Sequence, residues 1–235
     1  MARSTFSMNL LITSAACPLA QALANALKDE HQIRLTERVF VETEHEFAQC
    51  ALGHDAATNL LVRGMDAIVH VAEPLPHEDE NAQMDYLTRC TYNLLWAASQ
   101  EGVPRVVFLS TLEVMARYDA NFAVGEGWRP LPTTEARVLS KHLGEFTCRE
   151  FAREHRINVI VLRLGKVVRA DDVKDQPFDP MWVDESDVAH AVSCALSAPT
   201  GRWSIFHIQH DSPRARFPVA HAKRVLGYHP QVNFQ

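Results

Sequence analysis

The sequence predicts a single-domain α/β protein built on a doubly wound parallel sheet. Short runs of β-branched and aromatic residues alternate with helical patterns nearly from end to end, joined by short connections. The 235 residues, 47% hydrophobic and 22% charged, suit one buried core and fall in the ordinary globular range.

Each element has its own signal. The first strand is read at residues 8–13, running into Ser14-Ala15-Ala16-Cys17-Pro18 and a helix over 18–29. Pro18 suits the first turn of that helix, where a missing N–H costs nothing. Strands follow at 31–37 and 46–50, then a helix at 55–63. The strands at 67–71 and 104–110 are β-branched or aromatic runs, the pattern of strands covered on both faces. Between them a helix over 81–101 sets Met84, Leu87, Thr91, Leu94, Leu95 and Ala98 on one stripe, and Gly102-Val103-Pro104 stops it. Residues 117–132 hold Gly125, Gly127, Pro130 and Pro132, and are long for a loop in a compact domain, so they are expected to border a cleft. A helix at 134–155, a strand at 157–163, a helix at 185–197, a strand at 203–208 and a helix at 216–226 complete the pattern. Asp184 is placed to cap the helix at 185–197, with Asp187 in its first turn. No repeat, low-complexity tract or linker divides the chain.

Composition excludes several functions. A formal charge of −6 with no Lys/Arg stripe argues against nucleic acid. Cysteines 17, 50, 90, 148 and 194 are odd in number, scattered and without a C-x-x-C pair, which suits reduced thiols in a cytoplasm. The early apolar run Asn9–Thr13 is too short for a secretion signal, and nothing approaches the ~20 apolar residues that span a bilayer, so a soluble cytoplasmic protein is expected, with no membrane partner.

Several segments, in order, resemble one family. These are Met8 to Ala20, Gly64-Met65-Asp66-Ala67-Ile68-Val69-His70-Val71-Ala72, Asn93-Leu94-Leu95-Trp96-Ala97-Ala98, Val106-Val107-Phe108-Leu109-Ser110-Thr111, Ser140-Lys141-His142-Leu143-Gly144-Glu145, Val161-Leu162-Arg163-Leu164-Gly165 and Trp182 to Ala189. Together they are similar to the NAD-dependent epimerase/dehydratase family, the extended short-chain dehydrogenase/reductases. Arg216–Pro230 resembles the ending of uronate-dehydrogenase-like members. The resemblance implies one Rossmann-type NAD(P)-binding domain over residues 1–235, with 165–235 a reduced substrate-side portion.

It also implies a cofactor site at Thr13, Ser14, Cys17, Pro18, Leu19, Glu37 and Ala72. Ser14, Cys17 and Ala20 stand where the family's phosphate turn has three glycines, which allow the turn's backbone angles and the close approach of a pyrophosphate to a helix N-terminus. Ser14 must therefore take glycine's angles, and the Ser14 and Cys17 side chains are expected to fill pyrophosphate space. Glu37 matches the ribose-binding carboxylate, whereas Ala51 replaces an aspartate near the adenine. The expected cofactor is none, or NAD(P) held weakly.

Of the catalytic set the resemblance implies, Thr111 and Lys141 are retained, and Arg137 occupies the tyrosine position four residues before the lysine. Arginine stays protonated and cannot exchange protons as a tuned phenol does. Arg137 either points into the cleft beside Lys141, making a cationic site for a small anionic ligand, or lies on the surface paired with Glu135. Tyr118, just past the fifth strand, is a candidate substitute, or else a loop aromatic covering the sheet end.

Twelve histidines include the clusters His207-x-x-His210-Asp211 and His77-Glu78-Asp79-Glu80, which lack matching ligand spacing elsewhere, so no metal is expected. Cys17 reads as a small hydrophobe or a reactive thiol at a helix start. No G-x-S-x-G elbow is present. The resemblance further implies a homodimer through helices 81–101 and 134–155, the second offering Val138, Leu139, Leu143, Phe146 and Phe151. The functional expectation is a degenerate, non-catalytic relative that binds a ligand or partner. The alternatives are an NAD(P)-dependent oxidoreductase or epimerase acting on a sugar or uronate-like substrate, and a structural subunit of a related enzyme.

Overall fold

The computed structural model describes residues 7–154, 157–212 and 215–234; His155, the last residue of the helix expected over 134–155, lies outside them. Seven strands form one wholly parallel sheet: β1 (Asn9–Ile12), β2 (Gln32–Glu37), β3 (Glu46–Gln49), β4 (Ala67–His70), β5 (Arg105–Thr111), β6 (Asn158–Leu164) and β9 (Trp203–Ile208). Their spatial order is β3-β2-β1-β4-β5-β6-β9. Ile12 on β1 lies opposite Leu35 on one side and Val69 on the other. The chain thus leaves β1 in one direction and returns on its other side at β4, which opens a crevice outside the carboxyl ends of those strands.

Both faces are covered. Helices α1 (Pro18–Leu27) and α6 (Glu185–Ser197) bury Leu23, Leu27, Val188 and Val192 against the side chains of Leu10, Ile12, Val69 and Val107. On the other face α2 (Ala56–Val62), α4 (Thr91–Glu101) and α5 (Ala136–Glu154) pack Leu61, Leu94, Leu95 and Phe151 on Ile68, Phe108 and Val161. These strands read as continuous apolar runs because neither face meets water. The five cysteines are free thiols. Among the described residues no helix is long and apolar enough to cross a membrane.

Three expectations are corrected. The helix expected over 81–101 is broken into α3 (Glu80–Asp85), a π-helical turn at Tyr86–Cys90, and α4. The apolar stripe runs through the widened turn without interruption, so its periodicity carries no sign of the break. A second, two-stranded sheet pairs β7 (Lys166–Val168) with β8 (Trp182–Asp184), each too short to leave a sequence pattern. The last helix, α7, spans Ala220–Leu226 instead of starting at 216, since Pro218 disfavours helical angles at Phe217 before it. Phe217 and Val219 are buried instead as loop residues.

Candidate functional site

The turn from β1 to α1 keeps a glycine-like shape without glycine. Ser14 has φ 61, in the left-handed region, and Cys17 N donates to Ser14 O at 2.8 Å to close the turn. This conformation costs a residue with a Cβ about 1–2 kcal/mol. Ser14 Oγ is anchored in return, 2.8 Å from Tyr86 Oη and accepting from Glu73 N at 3.1 Å. Its side chain therefore turns into the protein, correcting the expectation that it crowds a pyrophosphate. Cys17 does face the cleft, and burial pushes its thiol pKa up, which keeps it protonated.

Behind the turn, Thr13 Oγ1 lies 2.8 Å from His70 Nδ1 and accepts from Val71 N, while His70 Nε2 lies 2.9 Å from Thr91 Oγ1. Burial, with Lys141 nearby, pushes the His70 pKa down to about 3, so the ring is a neutral link between β1, β4 and α4. Nothing in the local sequence marks this triad.

Glu37 is 3% exposed, and its carboxylate accepts from Ala16 N at 3.3 Å and Arg38 N at 2.8 Å. Burial raises its pKa. Arg38 crosses the Tyr86 ring, 4.3 Å from its centre, to reach Glu78 Oε2 at 2.7 Å. The acidic position at the end of β2 is thus tied to the turn and roofed by an ion pair. Ala72 is buried at φ 55, and Ala51 is exposed.

A cavity of about 540 Å³ opens at the carboxyl ends of the strands. Cys17, Pro18 and Leu19 line one end, and Thr111, Lys141 and Arg137 the middle. The far side is formed by Gly165 to Arg169. Thr13, Ser14, Glu37 and Ala72 lie buried behind this surface. Thr111 Oγ1 accepts from Glu113 N at 3.1 Å and so caps the 3₁₀ turn Leu112–Met115.

Lys141 is 2% exposed; its Nζ donates to Val71 O at 3.1 Å and Leu109 O at 2.9 Å, and pairs with Glu73 Oε1 at 3.0 Å. Burial lowers its pKa, with Glu73 opposing. For Glu73, burial alone would raise the pKa, but Lys141 and Arg137 outweigh that and hold it below its usual value.

Arg137 lies in the cleft, with Nη2 at 3.3 Å from Glu73 Oε1 and Nη1 at 3.5 Å from Glu113 Oε2. The surface alternative, with Glu135 as its ion-pair partner, is not what forms. Nor is the cleft simply cationic: Lys141, Arg137, Lys166 and Arg169 face Glu73, Glu113, Asp172 and Glu185. Sequence spacing located the cations but missed Glu73 and Glu113. A short acidic residue after a strand looks like any loop carboxylate.

Other candidates fall elsewhere. Tyr118 donates to Arg129 O at 2.7 Å and meets Trp128 edge to face, away from the cleft. None of residues 117–132 lines the cavity. That loop instead buries Val124, whose N donates to Arg216 O at 2.7 Å, and packs Phe122 against Trp128. His207 is buried on β9, His210 Nδ1 lies near Trp182 O, and Asp211 pairs with Lys223. Glu78 is taken by Arg38, and Asp79 caps α3. Among the described residues no group of three or more His, Cys, Asp and Glu could hold a metal ion.

Residues 11–179 match the description of the NAD-dependent epimerase/dehydratase family. An NAD-dependent glucose-6-phosphate dehydrogenase of Haloferax volcanii is 24% identical over 245 residues, covering 95% of this chain and 93% of that protein. A uronate dehydrogenase of Pseudomonas syringae pv. tomato is 26% identical over 195 residues, covering 81% and 70%. Among solved structures, a mutant uronate dehydrogenase from Agrobacterium tumefaciens complexed with NAD superposes with a TM-score of 0.84 at 24% identity, covering 97% of this chain and 86% of that one. A glucuronic acid dehydrogenase from Chromohalobacter salexigens gives 0.83 at 23% identity, covering 98% and 86%. These superpositions establish the shared fold.

Proposed function

The chain belongs to the NAD-dependent epimerase/dehydratase family, and from that premise we propose that its cleft binds a small anionic ligand at Arg137 and has lost hydride transfer. One observation carries the reading. A lysine ammonium has three N–H donors. Those of Lys141 are directed to Val71 O, Leu109 O and the Glu73 carboxylate, so while Glu73 is in place none remains to orient a nicotinamide ribose. One helical turn earlier, Arg137 stands where a proton-exchanging phenol would be needed.

The residues fit a dinucleotide poorly at its other end as well. The Glu37 carboxylate is engaged by Ala16 N and Arg38 N, and the Cys17 side chain faces the cleft at the start of α1. NAD(P) is therefore held weakly or not at all. Isothermal titration with NAD⁺, NADH, NADP⁺ and NADPH tests this. The expected result is no binding at micromolar concentrations. A dissociation constant below about 10 μM, roughly 7 kcal/mol, would overturn it.

A second reading has its own support. Thr111 and Lys141 still face one cleft, and relatives of the chain are NAD-dependent sugar and uronate dehydrogenases. On that reading the protein is an NAD(P)-dependent oxidoreductase or epimerase for a sugar or uronate, with residues 165–235 as a shortened substrate side. Steady reduction of NAD⁺ by the wild-type protein with glucuronate or glucose 6-phosphate would establish it over the first.

The assembly proposed is a homodimer in the cytoplasm. Tyr92 on α4 and Leu143 and Phe146 on α5 are exposed apolar side chains on the two helices concerned, and free thiols suit a reducing compartment. Light scattering should give twice the 26.4 kDa chain mass, and Phe146→Glu should return the monomer.

A further inference from the structure

Among the described residues, Glu73 is the carboxylate in contact with both cleft-lining cations of α5, Lys141 and Arg137. Its Oε1 lies 3.0 Å from Lys141 Nζ and 3.3 Å from Arg137 Nη2, and its Oε2 lies 3.5 Å from the same Nη2. Its backbone is pinned too, with Glu73 N donating to Ser14 Oγ at 3.1 Å. Glu73 also lines the same cavity as Cys17 at the start of α1.

From this geometry we infer that Lys141 and Arg137 form a phosphate subsite whose present occupant is the chain's own Glu73, and that a phosphate or diphosphate group enters by displacing it. The inference rests on the anionic-ligand reading above and names the chemistry of the ligand.

Two physical arguments select phosphate. A free carboxylate carries the same single charge as Glu73, and it competes against a group tethered in place at high effective concentration. A phosphate brings up to two charges and three acceptor oxygens, enough to satisfy both cations at once. The Arg137 contacts are also loose, at 3.3 to 3.5 Å against about 2.7–2.9 Å for a well-made charged pair. The Arg137 fork is therefore poorly held where it stands, and half-exposed. While it is protonated, Lys141 is stabilised by a neighbouring anion, because an unpaired buried ammonium is strongly destabilising.

The test is anion rescue. In Glu73→Ala, Lys141 loses its counter-ion, and inorganic pyrophosphate should raise the melting temperature saturably while chloride at equal ionic strength does not. In Glu73→Gln, which leaves Lys141 a hydrogen-bond acceptor, calorimetry should show pyrophosphate binding at least tenfold tighter than wild type. If Glu73→Ala does not fold, Glu73→Gln decides alone. Pyrophosphate affinity equal in Glu73→Gln and wild type, or stabilisation by chloride as strong as by pyrophosphate, would overturn the subsite. Those failures leave the non-catalytic reading intact, whereas tight NAD⁺ binding by the wild type defeats that reading itself.

Discussion

At the scale of single residues, the site is governed by where two side chains end. Ser14 holds a left-handed backbone because Tyr86 and the Glu73 amide grip its hydroxyl. Ser14→Ala keeps the backbone strain and removes both bonds, and leaving buried partners unsatisfied costs about 1–3 kcal/mol. Ser14→Gly loses the same bonds but relieves the strain, so it should cost less. Urea melts of the two variants check the order; an alanine variant as stable as wild type would refute it. Arg137 is held by Glu73 and Glu113, and replacing it with tyrosine does not free Lys141 from Glu73. Arg137→Tyr should therefore show no NAD⁺-dependent turnover with glucuronate. Turnover above the wild-type background would mean that the missing phenol was the only defect.

At the scale of elements, close packing sets the position of the helix that carries Lys141 and Arg137. Gly144 on α5 lies against the π-helical turn, where a Cβ would come 2.7 Å from Phe108 Cζ and 3.2 Å from Leu87 O. Alanine is the better helix former by about 1 kcal/mol, yet Gly144→Ala should destabilise, since a core ring and a carbonyl must both give way. A raised melting temperature would show that α5 can shift freely. Asp184 joins three elements: it ends β8, caps α6 by accepting from Ser186 N at 2.9 Å, and accepts from Ala170 N at 2.8 Å. Asp184→Ala should cost at least the ~0.5–2 kcal/mol of a lost cap, measured by chemical denaturation.

At the scale of the whole molecule, buried neutral histidines make stability depend on pH. Burial pushes both His70 and His207 down to about 3, with Lys141 adding to the first and Arg163 and His221 to the second. In the unfolded chain they titrate near 6.5. Above that pH both states are neutral and nothing is lost. As pH falls from about 6.5 toward 3 the unfolded chain gains protons that the folded chain refuses, so stability drops, by up to about 1.4 kcal/mol per pH unit for each histidine. Glu37 and Asp187, whose pKa values burial raises, act in the opposite sense at the acid end. Among the described residues neither ring nitrogen of His207 has a hydrogen-bond partner. His207→Leu should therefore flatten the decline between pH 7 and pH 5, and an unchanged slope would remove His207 from this account.

The seven strands of the main sheet, the glycine-free turn at Ser14 to Pro18 and the spacing of Arg137, Lys141 and Thr111 were determined by the sequence itself. Each depends on local pattern: a run of β-branched residues, a proline at a helix start, a separation of one helical turn. What the cleft can hold was decided only by tertiary structure. Glu73 meets Arg137 across 64 positions, and Ser14 meets Tyr86 across 72. The short β7–β8 pair likewise forms through contacts between segments. No period or motif records such pairs, because an ion pair or buried hydroxyl contact depends on where two strands end in space. Local spacing therefore placed the two cations of the site, and the fold alone supplied the carboxylate that contacts them both.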